Sequence, residues 1–219
     1  MQLVIADVLS AADATEIRQT LAHAPFEDGA RTAGWNARLV KDNAQARDSA
    51  TLRLLRERVE AAIRKNELFG LAVRPKALTP LIFSRYAGGQ AYGSHVDNPL
   101  MDGIRTDVSF TLFLAAPEAY DGGELVIESL SGEDEVKLPA GHMIVYPSTA
   151  LHRVQPVTRG ERLAAVGWAQ SHVRDPARRE LLFDLETARR RLFDRLGKTQ
   201  ELDLLSKSAA NLMRMWAEA

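Results

Sequence analysis

Five short runs rich in apolar and β-branched residues crowd the middle of the chain: LIFSRY (81–86), VSFTLFLA (108–115), ELVIES (124–129), HMIVYP (142–147) and LAAVGWAQ (163–170). Each is bounded by Gly, Pro or Asp, the residues that punctuate strands. Their close spacing suits turns between returning strands better than helical crossovers. It predicts an antiparallel sandwich or barrel and not alternating βαβ units. Asp121-Gly122-Gly123 supplies the turn before one such return. The expected fold class is mainly β with flanking helices.

The flanks read differently. Ser10 and Asp13 open a run with Ile17 and Leu21 on one face, which predicts a capped amphipathic helix. Residues 50–64 repeat Leu52, Leu55, Val59 and Ile63 at helical spacing. The segment around Gly34-Trp35-Asn36 reads as loop or irregular strand. After the last β run, Leu181, Leu185, Ala188, Leu192 and Leu196 form one apolar stripe, and Leu202, Leu205, Ala209, Leu212 and Trp216 a second. This divides the chain into residues 1–176, N-terminal helices plus the β core, and 177–219, a C-terminal helical extension. One stripe per helix is what packing on the outside of the core requires, and it leaves a homodimer seam open.

Arginines 178, 179, 189, 190, 191 and 195 alternate with Glu180, Asp184, Glu186 and Asp194 at helical spacing. Interleaved charge of this kind predicts a salt-bridged, solvated face rather than a nucleic-acid surface. The formal net charge of -1 argues the same way against nucleic acid or an anionic membrane as the main partner. The opening MQLVIADVLSAADA carries Asp7 and no basic lead, so it is not a signal peptide. No stretch approaches the roughly eighteen apolar residues of a membrane span. The expectation is a soluble, cytoplasmic protein.

There is no cysteine, which leaves histidine and carboxylate as the strong metal ligands, a set that suits iron, manganese or zinc. His23, His142 and His172 fall at a helix end, at a turn and just past the last strand, ordinary places for surface or capping residues. His95 and His152 come with company. In SHVDNP, His95 and Asp97 sit two apart, so on an extended chain both leave the same face. Such a pair can equally be a hydrogen-bonded surface pair, and H-x-D alone is weak. With His152 it supplies two imidazoles and one carboxylate, the ligand set of non-haem Fe(II) oxygenases, which leaves iron positions open for a bidentate co-substrate and dioxygen.

Arg162 lies on the last predicted strand, past the turn 156–161, and shares a face with Ala164, Val166 and Trp168 by alternation. Facing inward it would need an anion, and its planar fork fits a carboxylate. Alternation equally permits Leu163 inside and Arg162 outside.

Together, YAGGQAYGSHVDNP, RTDVSFTLFL, DGGELVIE and LPAGHMIVYPSTALHRVQPVTRGERLAAVGW resemble the 2-oxoglutarate- and Fe(II)-dependent dioxygenases related to prolyl hydroxylases. More closely, the chain is similar to the bacterial PKHD-type hydroxylases linked to iron uptake. The likeness is strong over about residues 78–190 and extends over nearly the whole chain. It implies a double-stranded β-helix (jelly roll) with Fe(2+) held by His95, Asp97 and His152. It also implies that Arg162 holds the distal carboxylate of 2-oxoglutarate, whose other end chelates the iron. The activity implied is hydroxylation of an unactivated C–H bond with O2, coupled to decarboxylation of 2-oxoglutarate to succinate, with L-ascorbate keeping the iron ferrous. A carboxylate at Asp97 favours hydroxylation, because related halogenases need that position emptied for chloride. Tyr86 matches a tyrosine near the co-substrate in prolyl hydroxylases. Where many of them carry a further tyrosine on the co-substrate, this chain has Phe113, one hydroxyl fewer in the anion pocket.

Residues between Asp97 and Thr106, among them Asn98, Met101 and Arg105, are expected to line the entrance, since loops at a barrel mouth carry specificity. Residue types do not say whether the substrate is a small molecule or a peptide. Two other readings use the same ligands: a non-catalytic metal- or 2-oxoglutarate-sensing module, and a zinc hydrolase or cupin-like isomerase.

Overall fold

A computed structural model describes residues 1–218. Helix α1 (Ala11–Ala22) begins where the Ser10 side chain accepts from the Asp13 backbone N–H, and it buries Ala14, Ile17 and Leu21. Helix α2 (Ala50–Lys65) is capped in the same way by Ser49 and buries the expected stripe of Leu52, Leu55, Val59 and Ile63. A short α3 (Glu67–Val73) follows an Asn66 cap. It escaped the sequence reading because about two turns carry too little periodicity to register. Around Gly34-Trp35-Asn36 the chain is irregular, between 3-10 turns at Gly29–Thr32 and Ala37–Val40.

The strands in chain order are β1 (Leu3–Ile5), β2 (Phe26–Asp28), β3 (Ala44–Ala46), β4 (Pro75–Leu78), β5 (Ile82–Ala87), β6 (Tyr92–His95), β7 (Leu100–Met101) and β8 (Ile104–Arg105). They continue with β9 (Val108–Phe113), β10 (Tyr120–Gly122), β11 (Leu125–Ser129), β12 (Gly132–Val136), β13 (Met143–Pro147), β14 (His152–Val154) and β15 (Val157–Ser171). One nine-stranded sheet runs β1-β13-β9-β15-β5-β3-β2, with β4 and β10 also paired to β15. A four-stranded sheet runs β12-β11-β14-β6, and β7 and β8 form a two-stranded sheet. All these pairings are antiparallel. The result is the double-stranded β-helix, with a cavity lined by residues of both sheets.

Strand β9 shows how sequence alternation builds this arrangement. Phe110 meets Phe69 of α3 edge-on, with ring centroids 5.7 Å apart. Ser109 and Thr111, one step out of phase, line the cavity. Both sides are covered, so every residue of β9 is buried. Strand β15 begins earlier than expected. Its first residues are polar and contain Gly160, which predicts a turn, yet they pair with β10 at an exposed edge. Gly160 has φ +71, and a Cβ there would stand 2.0 Å from the Ala119 carbonyl oxygen.

Two helices complete the chain, α4 (Pro176–Leu196) and α5 (Gln200–Trp216). Helix α4 does not bury the expected stripe: Leu181 and Leu196 are exposed, while Arg179 and Leu182 are buried. The Arg179 guanidinium donates to the Val173 and Arg174 carbonyls, both at under 3 Å (2.8 and 2.7 Å), and so takes a place that hydropathy assigns to an apolar residue. In α5 the expected face holds, with Leu202 buried and Leu205, Ala209, Leu212 and Trp216 partly so. Arg189 and Arg190 pair with Glu186, and Arg190 reaches Glu67 of α3 at 2.7 Å. Among the described residues, no helix is long and apolar enough to cross a membrane.

Candidate metal centre and anion pocket

Strands β6 and β14 are neighbours in the smaller sheet, and their register sets His152 opposite His95, with ring centroids 4.3 Å apart. Asp97 follows two residues after His95 on extended chain. Ligand atoms of His95, Asp97 and His152 all lie within 4.8 Å of one another, and both imidazoles are buried. The Nδ1 of His95 is 2.8 Å from the Gly93 carbonyl oxygen, and that of His152 is 3.0 Å from the Ala150 carbonyl oxygen. A carbonyl only accepts, so each Nδ1 carries a proton and Nε2 is the ring nitrogen left to face the carboxylate. His152 Nε2 stands 3.7 Å from Asp97 Oδ2.

Neighbours hold these groups in place. Ser109 Oγ donates to Asp97 Oδ2 at 2.6 Å and lies 2.8 Å from Ser148 Oγ, which fixes the carboxylate's direction. The Tyr92 ring stacks on His95 at 3.6 Å and 17°, and Tyr146 meets His152 edge-on at 5.1 Å. Burial pushes the His95 pKa down to about 4, and the adjacent His152 acts in the same direction. At neutral pH that ring is a free base, the state a metal ligand requires. Burial also drives the Tyr92 and Tyr146 hydroxyls upward, so both phenols stay neutral.

Across the cavity, the larger sheet contributes a cation. Arg162 on β15 pairs in register with Tyr86 on β5. Its guanidinium is 5.3 Å from the Tyr86 ring centroid and 5.2 Å from that of Phe113. Arg162 is 1% exposed and Leu163 2%, because β15 is covered on both sides; it is Arg162 that lines the cavity. Among the described residues, the donors Arg162 Nε, Ser84 Oγ and Trp168 Nε1, all on cavity-lining residues, have no hydrogen-bond partner. Each such orphan costs about 1–3 kcal/mol while unpaired, so the cavity is made for a polar, anionic guest. Gly123 leaves the room that Arg162 needs: a Cβ there would stand 3.0 Å from Arg162 Cδ and 2.8 Å from Val157 Cγ2. Burial raises the Tyr86 pKa, opposed by the charge of Arg162.

Asn98 and Met101 line the cavity, as expected of the entrance. Arg105 does not. Its guanidinium forks onto Asp107 at 2.8 and 3.0 Å and reaches Glu218 at 2.8 Å, so a carboxylate two residues away captures it. The sequence reading missed Lys41, Tyr92, Ser109, Tyr146 and Ser148. Only Ser109 left a signal, as a polar residue at alternate spacing in VSFTLF. Two imidazoles that turn Nε2 toward a carboxylate fit Fe(2+), and a buried guanidinium among unpartnered donors fits 2-oxoglutarate.

Comparison with known proteins agrees. The 2OG-Fe(II) oxygenase superfamily profile matches residues 81–170, and the PKHD-type hydroxylase C-terminal domain matches residues 176–218. A PKHD-type hydroxylase of Picosynechococcus sp. is 55% identical over 215 residues, covering 98% of each chain. One from Acaryochloris marina is 55% identical over 219 residues, covering 100% of each. In fold, the chain is similar to a Pseudomonas putida prolyl-4-hydroxylase, with TM-score 0.54 and 24% identity, covering 78% of this chain and 92% of that one. Identity above one half over the full length leaves no ambiguity of kinship: the chain belongs to the PKHD-type hydroxylase family and is a 2-oxoglutarate- and Fe(II)-dependent dioxygenase.

Proposed function

We propose that His95, Asp97 and His152 hold Fe(2+), that Arg162 holds the distal carboxylate of 2-oxoglutarate, and that the protein hydroxylates an unactivated C–H bond of a small molecule or peptide. One observation carries this reading: three converging candidate ligand atoms face, across a single cavity, a buried guanidinium that makes no ion pair among the described residues. Bound there, iron and 2-oxoglutarate would supply oxidative chemistry, with O2 and 2-oxoglutarate converted to succinate and carbon dioxide and one oxygen atom delivered to the substrate.

The chain's own groups do the holding. Backbone carbonyls at Gly93 and Ala150 keep both imidazoles in the tautomer that presents Nε2. Ser109 keeps Asp97 turned toward the same point. Tyr86 and Phe113 flank the Arg162 guanidinium and restrict its swing. Phe113 offers no hydroxyl to a carboxylate, and the unpartnered Ser84 Oγ is the group available to replace it. A zinc hydrolase would use the trio but leave Arg162 without purpose. By the resemblance of the sequence to PKHD-type hydroxylases, the role we propose is linked to iron uptake, with L-ascorbate maintaining ferrous iron. A cytoplasmic location is proposed from the N-terminal sequence, which lacks the basic lead of a signal peptide.

The deciding experiment incubates the protein with Fe(2+), 2-oxoglutarate and air, and follows succinate. A parallel screen of cell extract looks for compounds that gain sixteen mass units only when protein, iron and 2-oxoglutarate are all present. Succinate formation is expected; its absence from iron-loaded protein rejects the proposal.

A further inference from the structure

Lys41 stands on the wall of the same cavity, and nothing in the proposed chemistry uses it. It follows the turn Ala37–Val40 and forms an isolated antiparallel bridge with Tyr92, whose ring lies flat on His95. Its ammonium is 5.0 Å from the Tyr92 ring centroid and donates to Thr32 Oγ1 at 3.0 Å. Thr32 Oγ1 is itself held between the Gly29 carbonyl and Gln45 Oε1, at 3.1 and 3.0 Å, so the ammonium is placed in advance. Among the described residues Lys41 has no ion pair, and the acidic groups whose charge acts on it are Asp97 and Asp28. Burial lowers its pKa to about 8, which leaves it mostly protonated at neutral pH.

The charges in the cavity do not balance without a further anion. A divalent iron and Arg162 would be matched by Asp97 and a doubly charged 2-oxoglutarate. Once Asp97 serves a metal, Lys41 loses the larger of the two carboxylate fields that favour its charge. The wall beside it, Ala33, Gly34 and Ala37, is uncharged. A half-buried, unpaired ammonium attracts anions and rejects cations.

We propose that Lys41 is a substrate-recognition residue and that the substrate carries a carboxylate, gripped by this ammonium while the bond to be hydroxylated faces the His95–Asp97–His152 centre. This rests on the dioxygenase reading of the site.

The test loads wild type, Lys41→Met and Lys41→Arg with zinc and saturating 2-oxoglutarate, which occupies the Arg162 pocket. Ligand-observed NMR then compares small N-acetyl amino acids with their matched primary amides. The wild type should bind the acids about ten- to a hundredfold more tightly, the scale of one charge-assisted hydrogen bond. Lys41→Met should lose the preference and Lys41→Arg should retain most of it. Absence of any preference in the wild type, or an undiminished one in Lys41→Met, overturns the proposal. In a second arm, cell extract is split by anion exchange before the sixteen-mass-unit screen. A product from the retained fraction supports the proposal, and one found only in the flow-through overturns it. Zinc-loaded protein needs no turnover, so the first arm reads charge preference even where the succinate assay fails, and the two failures stay distinct.

Discussion

Asp97, just past β6 of the smaller sheet, and Arg162, on β15 of the larger, face one cavity, and each is placed by neighbours that limit its freedom. If Arg162 holds 2-oxoglutarate as proposed, removing its guanidinium breaks a buried charge pair worth about 3–5 kcal/mol, or about a hundred- to a few-thousand-fold in affinity. Calorimetric titration of zinc-loaded Arg162→Ala should show that loss, and unchanged affinity refutes the assigned role. Asp97→Ala should reduce succinate formation below detection while circular dichroism still shows the fold; surviving turnover would remove Asp97 from the ligand set. His95 gives a pH prediction for the metal-free protein. Its folded pKa, about 4 against an ordinary 6.5, means that the unfolded chain binds the proton first as pH falls. Its contribution is therefore fully present above pH 6.5 and is lost as pH falls toward 4, with a ceiling of about 3 kcal/mol. Urea midpoints measured from pH 7 to 4 should fall less steeply in His95→Gln. The candidate ligands were legible because His95 and Asp97 stand two apart and the resemblance to 2-oxoglutarate-dependent dioxygenases joins His152 to them. Tyr92 and Lys41 were not, since their chemistry is ordinary until proximity gives it a use.

The pairing of β6 with β14 is what converts two distant histidines into one centre, and β15 with β5 does the same for Arg162 and Tyr86. Strands β5, β9, β11 and β13 were readable from alternation and apolar content. Strand β12 was not: of Gly132–Val136 only Val136 is buried, so it carries no hydrophobic pattern. Strand β6 was masked by the glycines around it. In α4 the buried Arg179 defeats a stripe drawn from leucines alone. Gly123 makes a prediction at this scale. It sits at φ +69 after β10, where a side chain would press on Arg162, Val157 and Tyr120. Gly123→Ala should cost about 1–3 kcal/mol through backbone strain, seen as a lower Tm. It should also weaken 2-oxoglutarate binding although no binding atom is removed; unchanged affinity would reduce Gly123 to a turn residue.

The C-terminal helices are tied to the core at several points. Arg179 holds the carbonyls that follow β15, Leu182 is buried, Glu180 lies 3.4 Å from the N-terminal amine, and Glu218 accepts from Arg105 beside Asp107. These ties join α4 and α5 to the hairpin that carries Met101 into the cavity. One cooperative urea transition is expected by both circular dichroism and tryptophan fluorescence, with Leu182→Ala lowering stability by about 2–5 kcal/mol. Separate transitions would instead make residues 177–219 an independent unit. Residue types and their spacing alone determined the antiparallel β core and the helical flanks, because each is a property of short stretches of chain, and they marked His95, Asp97 and His152 as candidates. Tertiary structure alone decided that Arg162 faces the cavity, that Arg105 is held by Asp107 and that Lys41 stands beside Tyr92. A strand covered on both sides loses the contrast that alternation needs, and contacts between distant segments leave no local trace.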